Sequence, residues 1–315
     1  MNVTTIYSID FSPSGNLLAA GDNGGRIRVW ETNTWKRTYC IENQEDGILI
    51  VKFNPSGELL ATGSGGTGKG HLLKLWDVET GNLIHTLDGH SLGIYALDFS
   101  PDGKMIASGS ADNYIFLWDI EKGKIDKRLT GHKETLYPRI YSTAFSRMGN
   151  FLVSGGSDCT LRLWNIDSND TMIIANFKDF VRSVRFSPDG KFLLAGAEDG
   201  VVKIWDWIDL ISEGITLETS RIDTSSFIHP RRVCSVDFHE KYYIAAGTAD
   251  DGILWVWSLE TGDVIFKEAK HVSFVWGVRF CPKKHLLASC GEDDACIYVW
   301  DFVTHKLMAE LQAND

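Results

Sequence analysis

The stretch nearest to a recognisable chemistry is Gly63-Ser64-Gly65-Gly66-Thr67-Gly68-Lys69-Gly70. Its GxxxxGK spacing is that of a loop whose backbone amides cradle phosphates while the lysine reaches the outer phosphoryl groups. The pattern then breaks. A magnesium-binding hydroxyl should follow the lysine, and Gly70 stands there. Such a loop must also open a helix, whereas His71-Leu72-Leu73-Lys74-Leu75-Trp76 reads as a strand. The segment is expected to be a lengthened hairpin. No GxSxG nucleophile elbow, HExxH zinc helix or calcium loop occurs. The acids at Asp250-Asp251 and Glu292-Asp293-Asp294 fall between apolar segments, where carboxylates form turns. The cysteines, Cys40, Cys159, Cys234, Cys281, Cys290 and Cys296, include no CxxC pair. Structural zinc is therefore not expected, and reduced thiols are. Neither a catalytic set, a metal site nor a cofactor loop is called for.

The elements around these residues are far more regular than the residues themselves. A Phe closes one apolar segment at Phe11, Phe53, Phe99, Phe145, Phe186, Phe238 and Phe280. A Trp closes a later one at Trp30, Trp76, Trp118, Trp164, Trp205, Trp257 and Trp300. The step between them is 19 residues in five copies, 23 in the second and 20 in the seventh, and the copies recur every 41 to 52 residues. A period of this size marks a solenoid, propeller or array. In the third copy the apolar segments are Ile94 to Phe99, Met105 to Ser108, Tyr114 to Trp118 and Lys124 to Leu129. Gly, Pro, Asp and Asn separate them, so they read as strands joined by tight hairpins. All seven prolines lie outside these strands, where no ladder hydrogen bond is lost. No stretch of helical period stands out.

The third segment is apolar on both faces. Val29, Leu75, Leu117, Leu163, Ile204, Val256 and Val299 precede the tryptophans and point away from them. A lone four-stranded sheet would leave both faces wet, whereas seven in a ring bury them all. Three residues before each Phe stands Ser8, Ile50, Ala96, Ser142, Ser183, Ser235 or Gly277, mostly small, as a crowded innermost strand requires. The expected fold is all-β: a seven-bladed β-propeller, four antiparallel strands per blade. It forms one domain over 1–315, with blades near 4–42, 46–87, 92–130, 136–175, 178–220, 230–268 and 272–312.

Bulk properties narrow the function. The net charge of −11 argues against general affinity for nucleic acid or anionic membrane. No apolar run approaches the roughly 20 residues of a membrane span. Met1 to Thr5 has neither the basic region nor the apolar core of a leader. A cytoplasmic or nuclear location is expected.

These copies resemble the WD40-repeat family. The Trp-Asp signature stands at Trp76-Asp77, Trp118-Asp119, Trp205-Asp206 and Trp300-Asp301, and Gly-His at Gly89-His90 and Gly131-His132. The resemblance implies a structural network in each full blade of His, strand-two Ser or Thr, turn Asp and strand-three Trp. Complete sets are His90, Ser108, Asp112 and Trp118; His132, Ser154, Asp158 and Trp164; and His271, Ser289, Asp293 and Trp300. His with Ser and Asp also suggests a catalytic triad, but a repeated buried set is structural, since a nucleophile needs one exposed site. Blades one, two and five lack the His and are expected to rely more on apolar packing. With no spare strand to complete the last blade, either the ring closes by face packing alone or the chain is cut from a longer one.

The resemblance also points to a surface. Loops from strand four to strand one and from strand two to strand three share one face, here the top. Length is added there in blade two, through Lys133 to Pro138 before blade four, and in Ile208 to Pro230 before blade six, though part of this last insertion could sit on the other rim. In the family, positions six and four before the Phe often contact partners. They give Tyr7, Tyr95, Tyr141, Phe180, Phe274, Trp276, Arg139, Arg182 and Arg232 around one funnel, with Glu198 and Glu292 on its rim. Aromatics and Arg are enriched at interface hot spots. The expected function is a non-catalytic scaffold that binds protein or peptide partners on this funnel. Nucleic acid, membrane insertion and a small-molecule ligand are not expected. The alternatives are an aromatic cage, from Tyr95, Tyr141, Phe274 and Trp276, reading a methyl-lysine-like cation, or an enzyme on a propeller scaffold.

Overall fold

Each repeat folds into its own antiparallel sheet with strands in chain order. The computed structural model describes residues 4–42, 46–66, 70–212, 231–241, 243–248, 251–292 and 295–313. In the third blade the strands are Ile94–Phe99, Met105–Ser110, Ile115–Asp119 and Lys124–Leu129. The first hairpin shows why Ser-Pro-Asp-Gly recurs. Ser100 Oγ donates to Asp102 at 2.6 Å and accepts the Met105 amide at 2.9 Å. Gly103 takes a φ of 71°, which a Cβ would disfavour.

Alternate faces of each third strand pack on different neighbours. Leu73 and Leu75 of blade two share a cluster with Trp118 of blade three, whose own Ile115 and Leu117 share one with Trp164 of blade four. Fourth strands lie outermost, and most of Lys124–Leu129 is exposed.

The ring closes by the same kind of interface. Ile6, Ile9, Leu18 and Trp30 of blade one cluster with Leu286, Cys290, Ile297 and Val299 of blade seven. Packing is not alone there. Arg28 donates to the Ala313 carbonyl, and Lys284 Nζ reaches Thr32 at 2.7 Å. Arg28 also pairs with Asp22 at 2.7 Å, with both side chains buried. The first blade thus lacks the histidine but is not left to apolar packing. In blade two, Trp76 still donates to Thr62 at 3.0 Å.

Six sheets hold four strands; the fifth, Val181–Phe186, Phe192–Ala197 and Val202–Asp206, holds three among the described residues. The chain then enters a helix, Trp207–Ser212, where no helix was expected. Trp207 and Leu210 are buried on one face of that single turn and a half, too short for a helical period to register. The rest of the expected fourth strand falls on 213–220, outside the described residues.

Small residues on the innermost strands do more than save space. Ser8, Ser142, Ser183 and Ser235 each accept a backbone amide from the next blade, those of Val51, Val184, Val236 and Val278, at 3.1–3.2 Å. Asp10, Asp98 and Asp237 do likewise for Phe53, Phe145 and Phe280 at 2.7–2.9 Å. Ser235→Ala should orphan one such amide and cost about 1–2 kcal/mol. Calorimetry should show a melting temperature lower by about 2–4 °C. An unchanged melting temperature would mean that this bond does not help to join the blades.

Candidate functional site

The innermost strands, beginning at Ile6, Ile48, Ile94, Ile140, Val181, Val233 and Val275, all start at one end of the ring. The ladder to the second strand slips at the second residue of every one of them, so Tyr7, Leu49, Tyr95, Tyr141, Arg182, Cys234 and Trp276 each occupy a bulge. A bulge re-aims its extra side chain. Here all seven line a single cavity of about 320 Å³.

That cavity brings together Tyr7, Tyr95, Arg139, Tyr141, Arg182 and Trp276 of the expected site. Phe180, Arg232, Phe274, Glu198 and Glu292 are outside its lining. Phe274 stacks on Trp276, with centroids 5.2 Å apart and planes at 12°, and Phe180 lies 5.9 Å from Tyr141. Glu198 is buried and holds the Arg182 guanidinium, with Arg232 at 3.5 Å on its other oxygen. Arg182 lies 4.0 Å over the Tyr141 ring and Arg139 lies 5.0 Å over Tyr95. Burial raises the Tyr7 hydroxyl pKa, and nearby Glu292 and Tyr95 raise it further. Burial also raises that of Tyr141, against the opposing charges of Arg182 and Arg139.

Among the described residues, four arginines line the cavity, Arg139, Arg182, Arg185 and Arg279, and no carboxylate does. Arg185 and Arg279 also border a second cavity of about 440 Å³ at the other mouth, with Asp10, Lys52, Asp98 and Asp237. There the charges meet across blades: Lys52 with Asp10 and Asp98 at 3.7 and 3.8 Å, Arg185 with Asp237 at 3.8 Å, Arg279 with Asp10 at 3.7 Å. Burial raises the pKa of Asp98 and Asp237 and brings that of Arg185 down to about 10. This ring sits one residue before each Phe, and its only sequence signal is the order Asp10, Lys52, Asp98, Ala144, Arg185, Asp237, Arg279 along the repeats.

The polar sets lie apart from the cavity. His90 Nδ1 donates to Asp112 at 2.8 Å, its Nε2 accepts from Ser108 at 2.7 Å, and Trp118 donates to that hydroxyl at 2.7 Å. An ionised carboxylate can only accept, which fixes this tautomer. His132, Asp158, Ser154 and Trp164 repeat the chain at 2.9, 2.7 and 2.8 Å. Burial pushes both carboxyl pKa values upward, yet the imidazole and adjacent amides hold Asp112 and Asp158 below the usual range. His271 bonds Ser289 at 2.8 Å near buried Trp300, while Asp293 lies outside the described residues. Each of these histidines is nearly sealed from solvent, as a nucleophile's partner is not.

The top loops expose large apolar side chains at Leu92, Leu136, Tyr137 and Val272, with Leu136 85% exposed. The insertion after blade five begins elsewhere. Trp207 packs at 5.7 Å on Phe151 and 4.8 Å on Phe186, at the opposite end of the ring. Its described part therefore does not reach the top, and the remainder lies outside the described residues. The glycine-rich segment closes as a hairpin, with Ser64 and Leu72 exchanging backbone and side-chain hydrogen bonds at 3.0–3.1 Å; residues 67–69 lie outside the described set.

Seven radially packed sheets, with bulged aromatics gathered at one axial mouth, define a β-propeller. Comparison with known families agrees. The profile described as "WD domain, G-beta repeat" matches residues 81–119, 123–165, 171–206 and 264–301. The profile "Anaphase-promoting complex subunit 4 WD40 domain" matches residues 9–99. The chain belongs to the WD40-repeat family. It is also similar to "WD repeat-containing protein VIP3" of Arabidopsis thaliana, 30% identical over 83 residues. That match covers 26% of this chain and 26% of the relative. WD40 propellers are generally non-catalytic scaffolds that bind protein partners, and these repeats support a protein-interaction scaffold here. No helix among the described residues is long and apolar enough to cross a membrane.

Proposed function

We propose that the chain holds a peptide segment of a protein partner at the top axial mouth and performs no reaction there. The observation that carries this reading is the convergence of seven bulged side chains, one from every blade, on one cavity. Three are tyrosines, one is Trp276 and one is Arg182, types that dominate interface energetics. The rigid ring holds them in place, so little order has to be gained on binding. The cysteine pattern suits the cytoplasm or nucleus.

A cation-reading cage is less well supported. Tyr95, Tyr141 and Trp276 do share the cavity, but guanidinium groups already cover the two tyrosine rings, and no carboxylate among the described residues lines the space to favour a cation.

The test is the double variant Arg182→Ala/Trp276→Ala, compared with wild type by quantitative affinity capture and by circular dichroism and melting. Capture of specific partners should drop at least tenfold while the fold persists. An unchanged set of partners on a folded double variant would defeat the proposal.

A further inference from the structure

Among the described residues, four buried side-chain atoms with no hydrogen-bond partner belong to residues that line the top cavity: Thr143 Oγ1, Trp276 Nε1, Arg185 Nε and Arg279 Nε. Three can only donate, and the hydroxyl of Thr143 can donate too. The two arginine atoms face Asp237 and Asp10 at 3.8 and 3.7 Å, too far for a hydrogen bond. Thr143 is itself out of pattern. The other six blades place Ile9, Val51, Leu97, Val184, Val236 and Val278 at its position. It is 1% exposed, so its hydroxyl is desolvated without a partner. Arg139, also in the lining, forms no ion pair among the described residues and is held over Tyr95. In a chain of net charge −11, this mouth is rich in donors and, among the described residues, has no lining carboxylate.

We propose that the funnel recognises a carboxylate from an acidic residue in the partner's peptide segment. This deepens the docking reading and rests on it. A carboxylate offers about four acceptor sites and is the natural complement of a guanidinium. Arg139 meets it from the rim, already oriented by its tyrosine. Thr143 and Trp276 complete the set from the wall. A cavity of about 320 Å³ takes one or two side chains rather than a folded element. Around it, Leu92, Leu136, Tyr137 and Val272 stay exposed on the top loops. A free anion would leave them wet, whereas a peptide with apolar residues beside its acid would cover them. That difference selects the peptide as the occupant.

The test uses two fluorescein-labelled pools of 12-residue peptides, with one fixed central Glu or Gln, one fixed Leu and one fixed Phe beside it, and randomised remaining positions. Fluorescence anisotropy gives affinities for wild type, Arg139→Ala, Thr143→Val and Thr143→Ser. Inorganic phosphate and glutarate are tested as free anions by thermal shift. The Glu pool should bind wild type at least tenfold more tightly than the Gln pool. Arg139→Ala should erase that preference and Thr143→Val should weaken it about threefold, with Thr143→Ser restoring it. Each variant must melt as wild type does. Equal affinity for the two pools would overturn carboxylate recognition and leave peptide docking standing. A shift with phosphate or glutarate but no binding of either pool would overturn docking and make the funnel a small-anion site. No response to any probe would overturn both.

Discussion

Trp118→Ala is expected to cost about 3–5 kcal/mol, a large fraction of the stability of an ordinary folded domain. Its side chain is 1% exposed and heads the fully buried set. The indole fills the space between two blades, clustering with Leu73, Leu75 and Leu87 of blade two. Its loss would open a cavity that strands on both sides are too rigid to fill. It would also take away the donor that Ser108 receives at 2.7 Å, at the foot of the chain through His90 to Asp112. Trp118→Phe separates these contributions. It keeps most of the apolar volume and gives up the hydrogen bond, so it should cost about 1–3 kcal/mol. Urea unfolding of the three proteins supplies the measurement. A loss under about 1.5 kcal/mol for the alanine variant would mean that the blade interface relaxes around the gap, contrary to a rigid packing of blade on blade.

That tryptophan was legible in the sequence because its signal is local and repeated. A strand has a side-chain period of two, so Leu117 and Trp118 had to face opposite ways, and seven such pairs required a closed stack. Features that depend on two blades at once were harder to read. Ser235 looked small when its contribution is to accept the Val278 amide at 3.2 Å. Asp10, Lys52 and Arg279 meet around the axis, yet 42 or more residues separate each from the next along the chain. The helix Trp207–Ser212 escaped because six residues hold too little of a 3.6-residue period. At the candidate site, the positions came from resemblance. The bulge that turns Tyr7 or Trp276 inward is a property of strand register, which no residue type announces. The absence of carboxylates from the described lining is legible only once seven strands are brought to one axis.

The second large effect is a loss of stability in mild acid that belongs to His239. The ring is 2% exposed and lies among Phe280 and Phe302, both at 5.3 Å, and Tyr243 at 5.8 Å. Its Nδ1 accepts the Lys241 amide at 3.2 Å, a bond that suits the neutral ring. Burial lowers its pKa from 6.5 to about 4; Glu240 opposes that shift, while His285 and Lys241 add to it. Between those values the unfolded chain binds a proton that the folded chain refuses, so stability rises with pH across the window. The contribution is complete above about pH 6.5 and is lost as the pH falls toward 4, by about 3 kcal/mol in all. Asp98 and Asp237, raised by burial, favour the folded state as they gain protons and so oppose this loss as the pH falls. Asp112 and Asp158 are lowered, so they contribute above 3.8 and lose that contribution only at more acid pH. His239→Asn isolates the histidine from all four. Blade two has Asn54 at the same place, where its Oδ1 accepts the Leu59 amide at 3.0 Å. Asparagine at 239 can accept the Lys241 amide but has no proton to bind in this range. The gap in unfolding free energy between wild type and variant should therefore narrow, in the variant's favour, by about 3 kcal/mol from pH 7 to pH 4. A gap that stays constant across that interval would show that the imidazole reaches solvent when it is protonated, and the sealed aromatic setting would have to be redrawn.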